Sequence, residues 1–449
     1  MPSVCIYFQV HQPNRLKQYT FFDLGKDHFY ENDLFNAEVI NKVAEKCYLP
    51  ANRMMLDLIR KFDGKFKIAY SLSGVFIEQL EHHRPDVLQS FIDLADTGCV
   101  EFLGETYYHS LSYFYSKKEF KRQVKLHKKL IKKYFGQKPK VFRNTELTYN
   151  NEMAGYLEKM GYEGVITEGV DWHLNGRSPN SFYKAPNAGD IKVVLRNHRL
   201  SDDIGFRFSD KNWAEYPINA EKFSNWISES EGDVVNLFMD YESIGEHQWE
   251  DTGIFHFFRD LPEKILKHKD VQFVMPTEAV RKYKSRSIYD VHEPISWADQ
   301  ERNLSAWNGN NLQKEALQMV YGLEKLVKTS RNIDLIHIWS KLQTSDHFYY
   351  MSTKLSTDGM VHNYFSPYSS PYDAYIYYMN ALSDLEITLN TRNRKKNLAV
   401  LENGLKDKDV LANSSITEIM LKGKKGKTKY SNDPVEKEKV KAKKLVKKI

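Results

Sequence analysis

Glu146 and Asp240 each follow a short apolar run, and they lie far apart in the chain. Val141-Phe142-Arg143 leads into Asn144-Thr145-Glu146, and Val234 to Met239 leads into Asp240-Tyr241-Glu242. Two further runs end in polar groups: Ile6 to Val10 in His11-Gln12-Pro13, and Val100 to Leu103 in Gly104-Glu105 with His109 beyond. A pair of carboxyl groups brought together from separate elements suits glycosidic cleavage. One attacks the anomeric carbon and the other protonates the leaving oxygen, roughly 5 to 5.5 Å apart in the retaining route. Arg143 would favour an ionised Glu146 through charge attraction. Glu242, two residues past Asp240, would raise the pKa of Asp240 as an acid catalyst requires. His11 and His109 could bind sugar hydroxyls. Tyr107, Tyr108, Trp172, Trp213, Trp249 and Trp297 supply rings for a groove, since aromatic faces stack on sugars.

Something must hold these groups at one place. Apolar runs of 4 to 8 residues read as strands buried on both faces, and enzymes on such sheets carry their chemistry past the strand carboxyl ends. Strands are expected at the four runs above, Val234 to Met239 among them, and at Phe66 to Ser71, Gly164 to Thr167, Lys192 to Arg196 and Val271 to Met275. Helical spacing appears over Ala37 to Lys61, Val75 to Thr97 with a break at Pro85, Lys117 to Tyr134, and Asn151 to Met160, which Gly161 closes. The alternation predicts an α/β fold, and seven or eight such units favour a closed barrel over 1–295. The segment Asn175 to Asn219 reads as irregular loops above the barrel. From residue 296 to 391 the pattern is helical, over Leu312 to Ser330, Ile333 to Thr344 and Pro371 to Thr391, which predicts a bundle.

Bulk composition limits the alternatives. The 449 residues are 41% apolar and 28% charged, as in a soluble globular protein, and no run approaches the roughly 18 apolar residues of a membrane span. No basic stretch leads into an apolar one at the start, and Cys5, Cys47 and Cys99 fit neither a disulfide framework nor a zinc cluster. A cytoplasmic protein is expected. The formal charge of +6 misleads: Leu421 to Ile449 carry 12 Lys against Asp433, Glu436 and Glu438, a net of +9, so the remainder is at −3. The 392–449 tail reads as a solvated, partly helical or disordered segment rather than a nucleic-acid contact. A zinc site from His11, His109, Asp240 and His247 is the chemical competitor. Without HExxH, a His-x-Asp after the first strand or a close His-x-His, no metal is expected.

At these residues the chain resembles glycoside hydrolase family 57, the α-glucan-active enzymes that include α-amylases, 4-α-glucanotransferases and branching enzymes. The likeness runs through most of the first 390 residues in five short regions. They are His11-Gln12-Pro13; Glu105 to His109; Phe142 to Leu147; Met239 to Glu242 with Gly245 to Trp249; and Ser296 to Asp299 with Glu301-Arg302 and Leu304 to Trp307. The form of the last three is most similar to the α-amylase branch. The resemblance implies an incomplete TIM-like (β/α)7 barrel followed by a helical bundle, no required cofactor, and an α-glucan or maltooligosaccharide substrate. It puts Glu146 in the nucleophile position and Asp240 in the acid/base position. Substrate contacts are expected from His11, Gln12, Glu105, His109, Arg143, Glu242, His247, Trp249, Trp297 and Asp299. Both acids serve hydrolysis and 4-α-glucanotransfer alike, and a glucan-binding protein without turnover is the non-catalytic alternative. Chain-length preference and oligomeric state leave no signature in the sequence.

Overall fold

The computed structural model describes residues 2–354 and 366–392. Its strands are β1 (Ser3–Val10), β2 (Ile68–Leu72), β3 (Val100–Phe102), β4 (Val141–Arg143), β5 (Gly164–Glu168), β6 (Tyr183–Lys184), β7 (Lys192–Arg196), β8 (Val234–Asp240) and β9 (Ser287–Ile288). One sheet has the order β3-β2-β1-β8 and the other β4-β5-β7-β6-β9. Four strands of the first sheet and three of the second (β4, β5, β7) pair in parallel. The sheets meet twice. Gly104 forms a parallel bridge to Phe142, and on the far side Asn197 N donates to Asn236 O at 2.9 Å. Seven parallel strands thereby close into a barrel.

Parallel pairing leaves each strand with helices outside it and side chains inside, so β1 and β2 are buried along their whole length. The helix Lys117–Phe135 shows how the sequence achieves this. Ser116 caps its start through Glu119 N, and Gly136 ends it at φ 67°. Phe120, Val124 and Ile131 repeat at helical spacing on the buried face, while the lysines between them face water.

Several expectations change on inspection. The stretch Ala37 to Lys61 is helix Asp33–Val43, a π-helical turn Ala44–Tyr48, and helix Leu49–Lys61. Pro50 has no N–H to continue the ladder, and a wider turn before it accommodates the loss. Val271 to Met275 is not a strand; only Phe273 bridges, to Val4, on the edge of β1 that β2 takes up from Tyr7 onward. Asn175 to Asn219 is more ordered than loops: beside β7, which was expected, it holds β6 and the helix His198–Gly205, which Asn197 caps through Leu200 N. Strands of two residues such as β6 and β9 are too short to leave a period in the sequence.

The described residues up to Leu389 form one compact unit. Within it, helices Asn311–Gly322, Glu324–Ser330, Ile333–Lys341 and Ser345–Tyr349, with the stretch 371–389 of a longer helix, bury a core around Trp307 and Trp339. Leu16, Tyr19, Tyr30 and Leu111 from the barrel's loops join that core, so the helices share it with residues 1–295. All but the first residue of the 392–449 tail lies outside the described residues.

Gly104 tests the closure. A Cβ there would lie 2.7 Å from the Tyr162 ring, which is itself buried. Gly104→Ala is expected to destabilise the protein by about 1–3 kcal/mol through overpacking at the seam between the sheets, read as a lower urea midpoint.

Candidate active site

The carboxyl ends of the seven parallel strands carry Gln9 with His11 beyond, Ser71, Glu105, Arg143 with Glu146 beyond, Glu168, Arg196 and Asp240. Glu146 lies in the turn after β4, at φ 56° and ψ 28°, followed by Leu147 at φ 52°. Side-chain-bearing residues adopt this left-handed conformation at a cost of roughly 1–2 kcal/mol, and neighbours must hold it. Trp297 does so from two sides: its backbone N donates to Glu146 O at 3.3 Å, and its indole Nε1 to Glu146 Oε2 at 2.8 Å. Glu146 Oε1 accepts from His109 Nε2 and from Ser345 Oγ, both at 3.2 Å.

Behind Glu146 lies a fully buried line of charge. His109 Nδ1 donates to Glu105 Oε2 at 3.2 Å. Burial opposes a charged ring, yet the two carboxylates on its nitrogens raise the His109 pKa to about 9. Burial likewise opposes a charged Glu105, but His109 outweighs it and holds the carboxyl at about 2. Ser71 Oγ donates to Glu105 Oε1 at 2.9 Å. Arg143 is wholly buried with its guanidinium 5.4 Å from the Phe238 ring and 5.8 Å from Trp297. Among the described residues it has no hydrogen-bond partner, and it reaches Glu105 only at 4.0 Å. Burial lowers its pKa, and Glu105, Glu146 and Asp240 counter this through space.

Asp240 is in a different setting. It is half-buried, and its carboxyl makes no hydrogen bond among the described residues. Burial, then the charge of Glu146, push its pKa up to about 7 against the pull of Arg143 and Arg196. Glu146 thus acts on Asp240 as a like charge, and Asp240 and Glu242 also repel one another, as the spacing suggested. Glu242 is itself pushed to about 8 by burial and then by Asp240, while Tyr48 Oη donates to it at 2.5 Å.

Two cavities share Glu146, Asp240, His247 and Trp297. The larger, about 350 Å³, has an aromatic wall of Phe206, Trp307 and Tyr349 beside Arg196 and Arg207. The smaller, about 80 Å³, is polar, with His11, Gln12, Glu242 and Asp346. His11 stacks on His109 at 3.9 Å, and its Nε2 donates to Asp346 Oδ2 at 3.0 Å. Burial, then charged His109, lower the His11 pKa, so it hydrogen-bonds as a neutral ring. His11, His109 and Asp346 bring candidate ligand atoms within 4.8 Å of one another, in place of the set with Asp240 and His247. Both nitrogens of His109 are already taken by carboxylates, and its ring lies parallel to that of His11 rather than converging with it. The geometry does not fit a cation there.

The structure therefore brings His11, Gln12, Glu146, Asp240, Glu242, His247 and Trp297 to the cavities. Glu105, His109 and Arg143 stand behind Glu146, where they act on a carboxylate and do not line either cavity. Trp249, with Lys46 5.4 Å over its ring, lines neither cavity, and Asp299 pairs with Lys354 at 3.2 Å. Trp172 and Trp213 also lie away from both; Trp213 packs on Trp226. Sequence reasoning missed Glu168 and Arg196, joined at 3.0 Å, although both close strands as the recognised residues do. It also missed Ser345 and Asp346, which come from the helical region and carry no local signal.

The family model for glycosyl hydrolase family 57 matches residues 5–292. A Methanocaldococcus jannaschii protein named "Putative alpha-amylase" is 44% identical over 395 residues, 84% of this chain and 83% of its own length. Two solved structures share the fold at low identity. A GH57-type branching enzyme from Pyrococcus horikoshii superposes with a TM-score of 0.61 at 15% identity, over 81% of this chain and 87% of its own. A 4-alpha-glucanotransferase from Thermococcus litoralis does so with 0.56 at 16%, over 78% of this chain and 56% of its own. No helix among the described residues is long and apolar enough to cross a membrane.

The raised Asp240 pKa has a stability consequence. Between its ordinary value of 3.8 and about 7 the folded protein binds a proton that the unfolded chain releases, so this group's contribution is lost as pH rises through 7. Asp240→Asn is expected to raise the thermal midpoint relative to wild type more at pH 8 than at pH 4.5.

Proposed function

This chain belongs to glycosyl hydrolase family 57, and from that premise we propose that it cleaves α-1,4-glucosidic bonds of an α-glucan by double displacement. The observation that carries the reading is the unlike setting of two carboxyl groups on the same cavities. Three donors converge on the oxygens of Glu146, an arrangement suited to a carboxylate nucleophile. Asp240 has no such donors and titrates near neutral pH, as a group that gives and then takes a proton must.

In the first step a Glu146 oxygen bonds to the anomeric carbon as the glycosidic C–O bond breaks, and Asp240 passes its proton to the departing oxygen. In the second, Asp240 removes a proton from water, whose oxygen displaces Glu146 with the anomeric configuration kept. The polar cavity, with His11, Gln12, Glu242 and Asp346, supplies hydroxyl partners for a sugar ring. The aromatic wall of the larger cavity suits glucan faces, and it favours a second reading in which a glucan takes the place of water as acceptor. A cytoplasmic setting belongs to this proposal, supported by three free cysteines of which two are buried.

The test is incubation of wild type and Glu146→Gln with maltoheptaose. Shorter chains and growing reducing ends in wild type, absent in the variant although it still binds, are the expected result. Longer as well as shorter chains at constant reducing ends would make the enzyme a transferase. Binding without products in wild type would leave a glucan-binding protein. The wild-type kcat/KM should also fall as pH rises above about 7, where Asp240 loses its proton.

A further inference from the structure

Glu146 and Asp240 line both cavities of the cleft, but each cavity offers a sugar something different. The smaller adds His11, Gln12, Glu242 and Asp346, polar groups that can fix the orientation of a ring through its hydroxyls. The larger adds the rings of Phe206, Trp307 and Tyr349. Its three arginines are turned toward protein acceptors. Glu168 and the Phe238 carbonyl hold Arg196 at 3.0 and 2.7 Å, Asp203 holds Arg207 at 2.7 Å, and the Trp297 carbonyl accepts from Arg302.

Phe206 differs from the other two rings. Trp307 and Tyr349 are buried and belong to the core of the helical region, whereas Phe206 is 56% exposed. Of the large apolar side chains left exposed among the described residues, Phe206 alone lines either cavity. Its backbone is anchored. Phe206 N donates to Asp202 O at 2.9 Å and so closes the helix His198–Gly205. Gln248 Nε2 donates to Gly205 O at 3.1 Å before it, and Arg207 Nη2 to Arg199 O at 2.9 Å after it. An aromatic ring held at a cleft with its apolar face in water is suited to stacking on a sugar.

The two portions of a glucan need different contacts. The ring bonded to Glu146 stays through both displacements, and its anomeric carbon must meet first a carboxylate oxygen and then a water, so its orientation has to be fixed. The chain beyond the broken bond must be held for the first displacement and then leave, and stacking holds it through contact area with few directional bonds. We propose that the larger cavity takes the departing portion of the glucan, and that Phe206 determines its binding by stacking on a glucose unit past the cleavage point. The assignment rests on the glucan-cleaving reading above and deepens it. The same face receives a glucan acceptor wherever one replaces water.

Two substrates separate the two portions. Maltoheptaose has a departing chain, and α-maltosyl fluoride carries fluoride in its place. Phe206→Ala, as the full chain, is expected to lose roughly three- to tenfold in kcat/KM on maltoheptaose, carried by KM, and less than about twofold on the fluoride. Phe206→Tyr, which keeps the ring, should hold the maltoheptaose KM within about twofold of wild type. The thermal midpoint of both variants should match wild type, because the ring is largely in water. Equal losses on the two substrates would place Phe206 on the retained portion or in a structural role. No loss on either would remove it from binding. Both results overturn the assignment and leave the cleavage reading in place. If wild type releases neither fluoride nor shorter chains, the cleavage reading falls and the assignment with it.

Discussion

Burying charge at the mouth of the barrel is the constraint on which this structure turns. Arg143, His109, Glu105, Glu168 and Arg196 have almost no contact with water. An ion taken out of water costs several kcal/mol even after relaxation, and it persists only where partners surround it. For all but Arg143, which carboxylates offset only through space, they are supplied strand by strand. Ser71 of β2 and His109 satisfy Glu105, while Arg196 of β7 is shared by Glu168 of β5, Asp202 and the Phe238 carbonyl. Closure of the barrel is what brings these ends within reach of one another. The placement of Glu146 and Asp240 is in this sense a by-product of satisfying the charges behind them.

That arrangement also separates the roles of two chemically similar side chains. Glu146 sits in a strained turn with its oxygens held by an imidazolium, an indole and a hydroxyl. Asp240 ends β8 without comparable restraint, and the negative charge of Glu146 makes it a weaker acid. Each carboxyl thus helps define the other's state, and His109 and Arg143 limit how far the coupling goes. Glu242 lies one step further out, bonded to a tyrosine that the π-helical turn at Ala44–Tyr48 presents. A local irregularity caused by Pro50 therefore has a use at the site.

The helical region contributes to the same cavities. Ser345 reaches Glu146 and Asp346 orients His11, which in turn covers His109. Tyr349 and Trp307 form the aromatic side of the cleft. Because these residues also belong to, or adjoin, the core around Trp339, the stability of the helices and the shape of the site depend on one another.

The linear order of residues determined the parallel architecture, since buried strands announce themselves as apolar runs and helices as a period of 3.6. It also determined the two catalytic candidates, because Glu146 and Asp240 follow such runs directly. What it could not supply was depth. Glu105, His109 and Arg143 look like substrate contacts when read along the chain, yet they lie behind Glu146 and act on its charge. Trp172, Trp213 and Trp249 look like Trp297, but of the four only Trp297 reaches Glu146. Ser345 and Asp346 bear no mark of function in their own segment. These distinctions arise from which side chains meet after the barrel closes and the helices dock, and contacts between residues distant in sequence leave no periodic trace in it. Spacing along the chain decided which elements form; burial and charge in three dimensions decided what each polar group does.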